Sequence, residues 1–228
     1  MTGLLVSVRD PQEARLAVEA GVDIIDAKDP ARGPLGAVDS EMLAKVIQAV
    51  AGRVPVSAAM GELLECLRPT SAVSFAKHGL AGCARKADWK SLWSQSIARL
   101  PTGVAPVAVV YADWEVAQSP APDAVLTTGL ELGCRVLLVD TFDKRGGSLL
   151  EIWGMEALER FVERVHMAGI ALVLAGSLSA KTIQKVLHLH PAYVAVRGAA
   201  AYRGVREEKL DQRRVQELVH LVRSATRA

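Results

Sequence analysis

The run Val22-Asp23-Ile24-Ile25-Asp26-Ala27-Lys28-Asp29-Pro30-Ala31-Arg32-Gly33-Pro34-Leu35-Gly36-Ala37-Val38 opens as a short apolar strand and closes as a loop rich in glycine and proline. Successive side chains of a strand point to opposite faces, so Asp26 and Lys28 project together and Ala27 points away from them. An Asp-x-Lys taken alone is most often a solvated surface pair. This one ends an apolar strand whose sequence neighbours look like α/β units. In such folds the carboxyl ends of strands carry the chemistry.

Outward from that run the same unit repeats. Leu4 to Val8 reads as a strand, and Asp10-Pro11 opens a helix that Gly21 ends. After the quoted run come a helix over Glu41 to Val50 and a strand over Val54 to Ala59. Glu62 to Arg68 reads as a short helix broken at Pro69, and Val73 to Ala76 as a strand ending in Lys77-His78-Gly79. Further strands are expected at Val104 to Tyr111, Arg135 to Val139, Ile170 to Leu174 and Tyr193 to Val196. Helices are expected at Ala87 to Leu100, Ala121 to Leu132, Glu156 to Ala168, Ser179 to Leu189 and Val205 to Arg223. Eight strand–helix units in strict alternation demand parallel strands joined by helical crossovers, and eight can close on themselves. The pattern predicts a single (β/α)8 barrel over residues 1–228. An open doubly wound sheet is the alternative, but no Gly-x-Gly-x-x-Gly follows the first strand. A short internal echo (Asp26/Lys28 against Asp140/Lys144, Lys77-His78-Gly79 against Arg197-Gly198) spaces similar strand ends four units apart.

Composition narrows the classes. The chain has 228 residues, 50% of them hydrophobic, and a formal net charge of +2. Charges of both signs are spread throughout, and aromatic residues are too few for a base-stacking platform, so no nucleic-acid partner is expected. No apolar run approaches the ~20 residues of a membrane span, and Met1 to Pro11 lacks signal-peptide character. The expectation is a cytoplasmic protein without a membrane partner. Cys66, Cys83 and Cys134 have no metal-ligand spacing and read as small core residues. No metal and no cofactor are expected. A homo-oligomer is expected, with the basic last helix as a solvated face or subunit contact.

A barrel would gather Asp26, Lys28, Lys77, Asp113, Asp140, Lys144, Ser177 and Arg197 around one mouth. A lysine forms a Schiff base only when unprotonated, which requires its pKa to fall from ~10.4. Burial or a second cation does this, and Lys77 is a candidate depressor of Lys28. Aspartates can carry protons through imine formation, enolisation and dehydration; Asp113 is a further proton-transfer candidate. Against this stands a purely structural ring of ion pairs. The seventh and eighth strand ends, Ala175-Gly176-Ser177 and Val196-Arg197-Gly198, carry glycines that let backbone N–H groups approach an anion, where barrels often bind phosphate. His78 faces away from Lys77 and reads as a packing residue; His166, His188, His190 and His220 read as surface or satisfied positions. Gly33 to Gly36 reads as a mobile lid or as a merely tight loop.

These blocks, in order, resemble one family. Leu-Leu-Val-Ser-Val, Asp-Ile-Ile-Asp-Ala-Lys-Asp-Pro with Gly-Pro-Leu-Gly-Ala, Pro-Val-Ser-Ala-Ala-Met-Gly, Ala-Lys-His-Gly-Leu, Val-Tyr-Ala-Asp, Leu-Val-Asp-Thr-Phe-Asp-Lys, Leu-Ala-Gly-Ser-Leu and Val-Arg-Gly-Ala-Ala are similar to segments of (5-formylfuran-3-yl)methyl phosphate synthases, across essentially the whole chain. The resemblance implies a (β/α)8 barrel that condenses two glyceraldehyde 3-phosphates into a furan aldehyde phosphate for methanofuran-type cofactors. It implies Lys28 as the Schiff-base lysine, with Asp26, Lys77, Asp140 and Lys144 assisting and Gly176, Ser177, Arg197 and Gly198 near phosphate. Two features depart from the pattern. The stretch between Gly61 and Val73 is shorter, and no lysine lies between Lys90 and Lys144 to serve near the fifth strand. A class I aldolase, a sugar-phosphate isomerase and a non-catalytic barrel that binds a phosphorylated metabolite are the competing readings.

Overall fold

The structure, a computed structural model, describes residues 2–64 and 73–225. Its strands are β1 Gly3–Val8, β2 Ile24–Ala27, β3 Val56–Glu62 and β4 Phe75–Gly79. They continue as β5 Ala105–Tyr111, β6 Val136–Asp140, β7 Ala171–Leu174 and β8 Tyr193–Val196. All neighbours are parallel in chain order, and β8 returns to β1 with Tyr193 opposite Gly3, closing the barrel. The helices are α1 Pro11–Glu19, α2 Ser40–Val50, α3 Trp89–Ala98 and the single turn α4 Trp114–Ala117. They continue as α5 Pro122–Glu131, α6 Leu149–Met167, α7 Ala180–Val186 and α8 Gln212–Ala225. No helix among the described residues is long and apolar enough to cross a membrane.

Strand alternation sorts the apolar residues into two bodies. Leu5, Ile24, Val107, Val109, Leu138, Val173 and Ala195 fill the barrel interior. Leu4, Val6, Ile25, Ala27, Ala108, Val110, Leu172 and Val194 face outward and pack beneath the helices. Burial on both faces is why these strands read as continuous apolar runs.

The structure corrects several element boundaries. Glu62 ends β3 rather than starting a helix, and the rest of that expected helix, with Cys66, falls largely outside the described residues. β4 runs on through Lys77 and His78 to Gly79. α6 starts at Leu149, seven residues before the expected Glu156, because Ser148 and Glu151 form a reciprocal cap; Gly154 then breaks the helix. α8 starts at Gln212 rather than Val205, since Ala201 and Leu210 bridge to form the base of an irregular loop. Gly33 to Gly36 is a tight loop. A Cβ on Gly36 would lie 2.3 Å from the Asp29 carbonyl oxygen, and Leu35 is buried at the barrel top.

Candidate active site

A cavity of about 1190 Å³ opens at the carboxyl ends of the strands and reaches down to Ile24, Val107 and Leu138 in the barrel interior. Asp26, Lys28, Lys77, Asp140, Lys144, Gly176, Ser177, Arg197 and Gly198 all line it. Inward alternation on β2, β4 and β6 brings Asp26, Lys77 and Asp140 there, and the residues just past the strands supply Lys28 and Lys144.

Two acid–amine pairs organise the mouth. Lys77 Nζ pairs with the Asp26 carboxylate and donates to Ser57 Oγ at 2.9 Å, while Ser7 Oγ donates to Asp26 Oδ2 at 3.0 Å. Across the barrel, Lys144 Nζ donates to Asp140 Oδ1 at 2.5 Å and to Thr141 Oγ1 at 3.1 Å. Burial works to raise the Asp140 pKa, but the charges of Lys144 and Lys28 outweigh it, and the carboxyl titrates below its usual range.

Lys28 is different. It is 8% exposed and lines the cavity, and its Nζ has no hydrogen-bond or ion-pair partner among the described residues. Its pKa falls from 10.5 to about 8, chiefly through burial. The charges of Asp140 and Asp26 oppose the shift, and Lys144 and then Lys77 add to it only weakly. Of the two expected causes, burial and a second cation, burial is the larger, and Lys77, a candidate depressor, ranks last among the causes that lower the Lys28 pKa.

Two other expected roles change. Asp113 does not line the cavity. Its two carboxylate oxygens accept from the backbone N–H groups of Phe142 and Asp143 at 2.6 and 2.7 Å. It holds the β6–α6 loop that carries Lys144, which leaves proton transfer without support. Arg197 has no donor left for a ligand. Nε donates to the Arg206 carbonyl, Nη1 to the Ser7 carbonyl and Glu13 Oε2, and Nη2 to Glu13 Oε1 and the Glu208 carbonyl. Five N–H groups meet five acceptors. Its expected phosphate role is thereby corrected to that of a clamp. Gly176 (φ 90°) and Ser177 (φ 52°) hold left-handed backbone at the end of β7, and Ser177 is exposed in the mouth.

The other titratable candidates lie as expected. His78 is buried with Nδ1 unpartnered, and burial lowers its pKa to about 4. His166, His188, His190 and His220 are exposed. Burial raises both Cys83 and Cys134 to about 11, as inert core thiols require.

Sequence reasoning missed Ser7 and Ser57, although period-two counting from Leu5 and Asp26's register partner could have found them. It also missed a part-buried pair on β5 and β3, where Tyr111 Oη donates to Glu62 Oε1 at 2.6 Å. A register shift in β3 between Ala59 and Glu62 aims that carboxylate inward.

Fold and site together define a (β/α)8 barrel whose mouth holds a buried lysine flanked by two lysine–aspartate pairs. The chain belongs to the 4-HFC-P synthase family, whose model matches residues 4–219. It is 32% identical to the (5-formylfuran-3-yl)methyl phosphate synthase of Methanococcus maripaludis strain C6, over 95% of this chain and 97% of that one. It is likewise 32% identical to the synthase of that name from Methanopyrus kandleri, over 99% and 98%. Among solved structures, thiamine phosphate pyrophosphorylase from Pyrococcus furiosus superposes with a TM-score of 0.63 at 14% identity, covering 97% of this chain and 96% of that one. KGPDC from Streptococcus mutans does so with 0.62 at 16%, covering 99% of both. These two likenesses concern the fold alone.

Proposed function

We propose that the protein is a lysine-dependent lyase that condenses two molecules of glyceraldehyde 3-phosphate into (5-formylfuran-3-yl)methyl phosphate, for a methanofuran-type cofactor. The observation that carries this reading is Lys28: a cavity-lining amine without a partner among the described residues, at a pKa of about 8, between two lysines that each have an aspartate. Near neutral pH about a tenth of such amines are unprotonated, far more than for an ordinary lysine. The names of the relatives supply the product.

The chemistry balances as two triose phosphates giving one furan, one phosphate and two waters. Lys28 Nζ adds to the aldehyde of one triose and loses water, forming an imine. Removal of the C2 proton gives an enamine that expels phosphate from C3, leaving a nucleophilic C3 carbon. Attack on the aldehyde of the second triose would yield a ring substituted on both sides of its oxygen. The 3,5-pattern of the product instead requires attack at the middle carbon, so the second triose reacts in its ketone form after a proton shift. Ring closure, dehydration and hydrolysis of the imine release the aldehyde and Lys28. The Asp26–Lys77 and Asp140–Lys144 pairs line the same cavity as Lys28, which supports assigning them the taking and returning of these protons.

Borohydride treatment with glyceraldehyde 3-phosphate should add a triose-derived mass at Lys28, and incubation without borohydride should produce a furan chromophore. Lys28→Arg keeps the charge but cannot form the imine, so both signals should vanish while the far-UV spectrum stays native. Trapping that survives in Lys28→Arg would move the nucleophile to Lys77 or Lys144. Trapping without a furan would leave a class I aldolase.

A further inference from the structure

The β8–α8 loop carries an arginine that sequence reasoning did not single out. Arg206 lines the cavity, and its Nε is buried without a hydrogen-bond partner among the described residues. The nearest acidic oxygen, on Glu207, stands 3.6 Å away on a side chain 58% exposed, a surface partner that a stronger anion would displace. Arg206 Nη2 reaches across the mouth to the Gly33 carbonyl at 3.3 Å, in the loop just past Lys28.

The backbone around this residue is pinned from below. Arg197 holds the carbonyls of Arg206 and Glu208 at 2.9 and 2.5 Å, and Arg9 holds that of Glu207 at 2.5 Å. Gly198 lies directly beneath: a Cβ there would be 3.3 Å from the Gly204 carbonyl and 3.8 Å from the Arg206 Cβ. The buried ion pair of Arg197 with Glu13 thus serves to present Arg206. A guanidinium fixed this way has a planar fork, with one donor idle, in the lining of the same cavity as Gly176 and Ser177.

We infer that the guanidinium of Arg206 binds the phosphate monoester of the substrate, and that Arg197 is a positioning residue that holds Arg206 over the cavity. The inference rests on the substrate being a phosphorylated triose but not on the imine. An arginine offers a phosphate two parallel N–H bonds, and here they would lie close to the loop that follows Lys28. Phosphate binding therefore also fixes the reacting end of the substrate near the amine.

Inorganic phosphate is the direct probe, titrated calorimetrically into wild type and variants. Arg206→Gln should weaken phosphate binding roughly tenfold to a hundredfold, the usual effect of losing a charge-assisted hydrogen bond, and Arg206→Lys should restore part of it. Half-maximal trapping of Arg206→Gln should need correspondingly more glyceraldehyde 3-phosphate, whereas unphosphorylated glyceraldehyde should trap as in wild type. The positioning role predicts non-additivity: Arg197→Gln, held where its far-UV spectrum is native, should lose phosphate affinity, and adding Arg206→Gln should lose little more. If Arg197→Gln does not fold, the Arg206 variants still decide. Equal phosphate affinity in wild type and Arg206→Gln overturns the assignment, as does a wild type that binds no phosphate or an equal loss with glyceraldehyde. Phosphate binding that depends on Arg206 in a protein that never traps an imine overturns the Schiff-base reading and leaves this one standing.

Discussion

Burial of the Lys28 amine costs stability in a way that depends on pH. Its folded pKa of about 8 lies below the ordinary 10.5, so between those values the unfolded chain binds the extra proton. Stability contributed by this group therefore rises with pH across that window, and below about pH 8 the full penalty of a buried ammonium applies. Lys28→Met removes the penalty. The variant should melt above wild type at pH 7, by at most about 3.5 kcal/mol from ~1.4 kcal/mol per pKa unit, and the gap should close as pH approaches 10.5. A gap that does not change with pH would mean that packing, not charge, sets the difference. Lys77 has the opposite balance. Lys77→Met would leave Asp26, 1% exposed, with only Ser7 as its hydrogen-bond partner, and should destabilise by about 3–5 kcal/mol. Adding Asp26→Asn should recover much of that loss. With Asp26 no longer offset, Lys28 should hold its proton more tightly, so trapping in Lys77→Met should slow near pH 7 and recover at higher pH. No recovery at any pH would make Lys77 a proton carrier instead.

At the scale of single elements, glycine placement and loop anchoring decide what the site can hold. A Cβ on Gly79 would sit 2.1 Å from Glu62 Oε2 and 2.3 Å from Tyr111 Oη. Gly79→Ala should therefore force the part-buried Tyr111–Glu62 pair apart and cost about 1–3 kcal/mol in chemical denaturation. Asp113→Ala should speed hydrogen exchange at the Phe142 and Asp143 amides and lower turnover through Lys144, while β6 stays protected; unchanged exchange would remove the anchoring role. The strand ends were legible because period-two alternation and apolar runs are local signals, and they placed Asp26, Lys28, Lys77, Asp140 and Lys144 around one cavity. Helix starts were less so. The Ser148-x-x-Glu151 cap was present in the sequence, but Gly154 interrupts the helical spacing and drew the expected start to Glu156. Arg197 was placed correctly and its role was not. Its carboxylate partner, Glu13, lies 184 residues away, and no local pattern says which neighbour takes a strand-end guanidinium.

For the whole molecule, closure is the step on which everything else depends. Eight alternating units announce the barrel, but the seam between β1 and β8 is completed by long-range polar contacts: Arg197 to Glu13, and Arg197 to the Ser7 carbonyl. Burial works to raise the Glu13 pKa, yet its bonds to Arg197 and Arg9 win and hold the carboxyl below 4.5. Its contribution is thus present above 4.5 and lost as pH falls through the lower folded value. Glu13→Gln should be less stable than wild type at pH 7, and the two unfolding curves should converge in acid; curves that stay parallel would remove Glu13 from the acid transition. The ring has a consequence for the protein as it is being made. Until the eighth strand leaves the ribosome, the first strand has no partner on one side and water reaches the inner wall. A lysine in that half-built trough keeps an ordinary affinity for its proton. On the proposed reading of Lys28, an incomplete chain presents no reactive amine to the sugars and aldehydes of the cell, and that reactivity arises only when the eighth unit docks against the first.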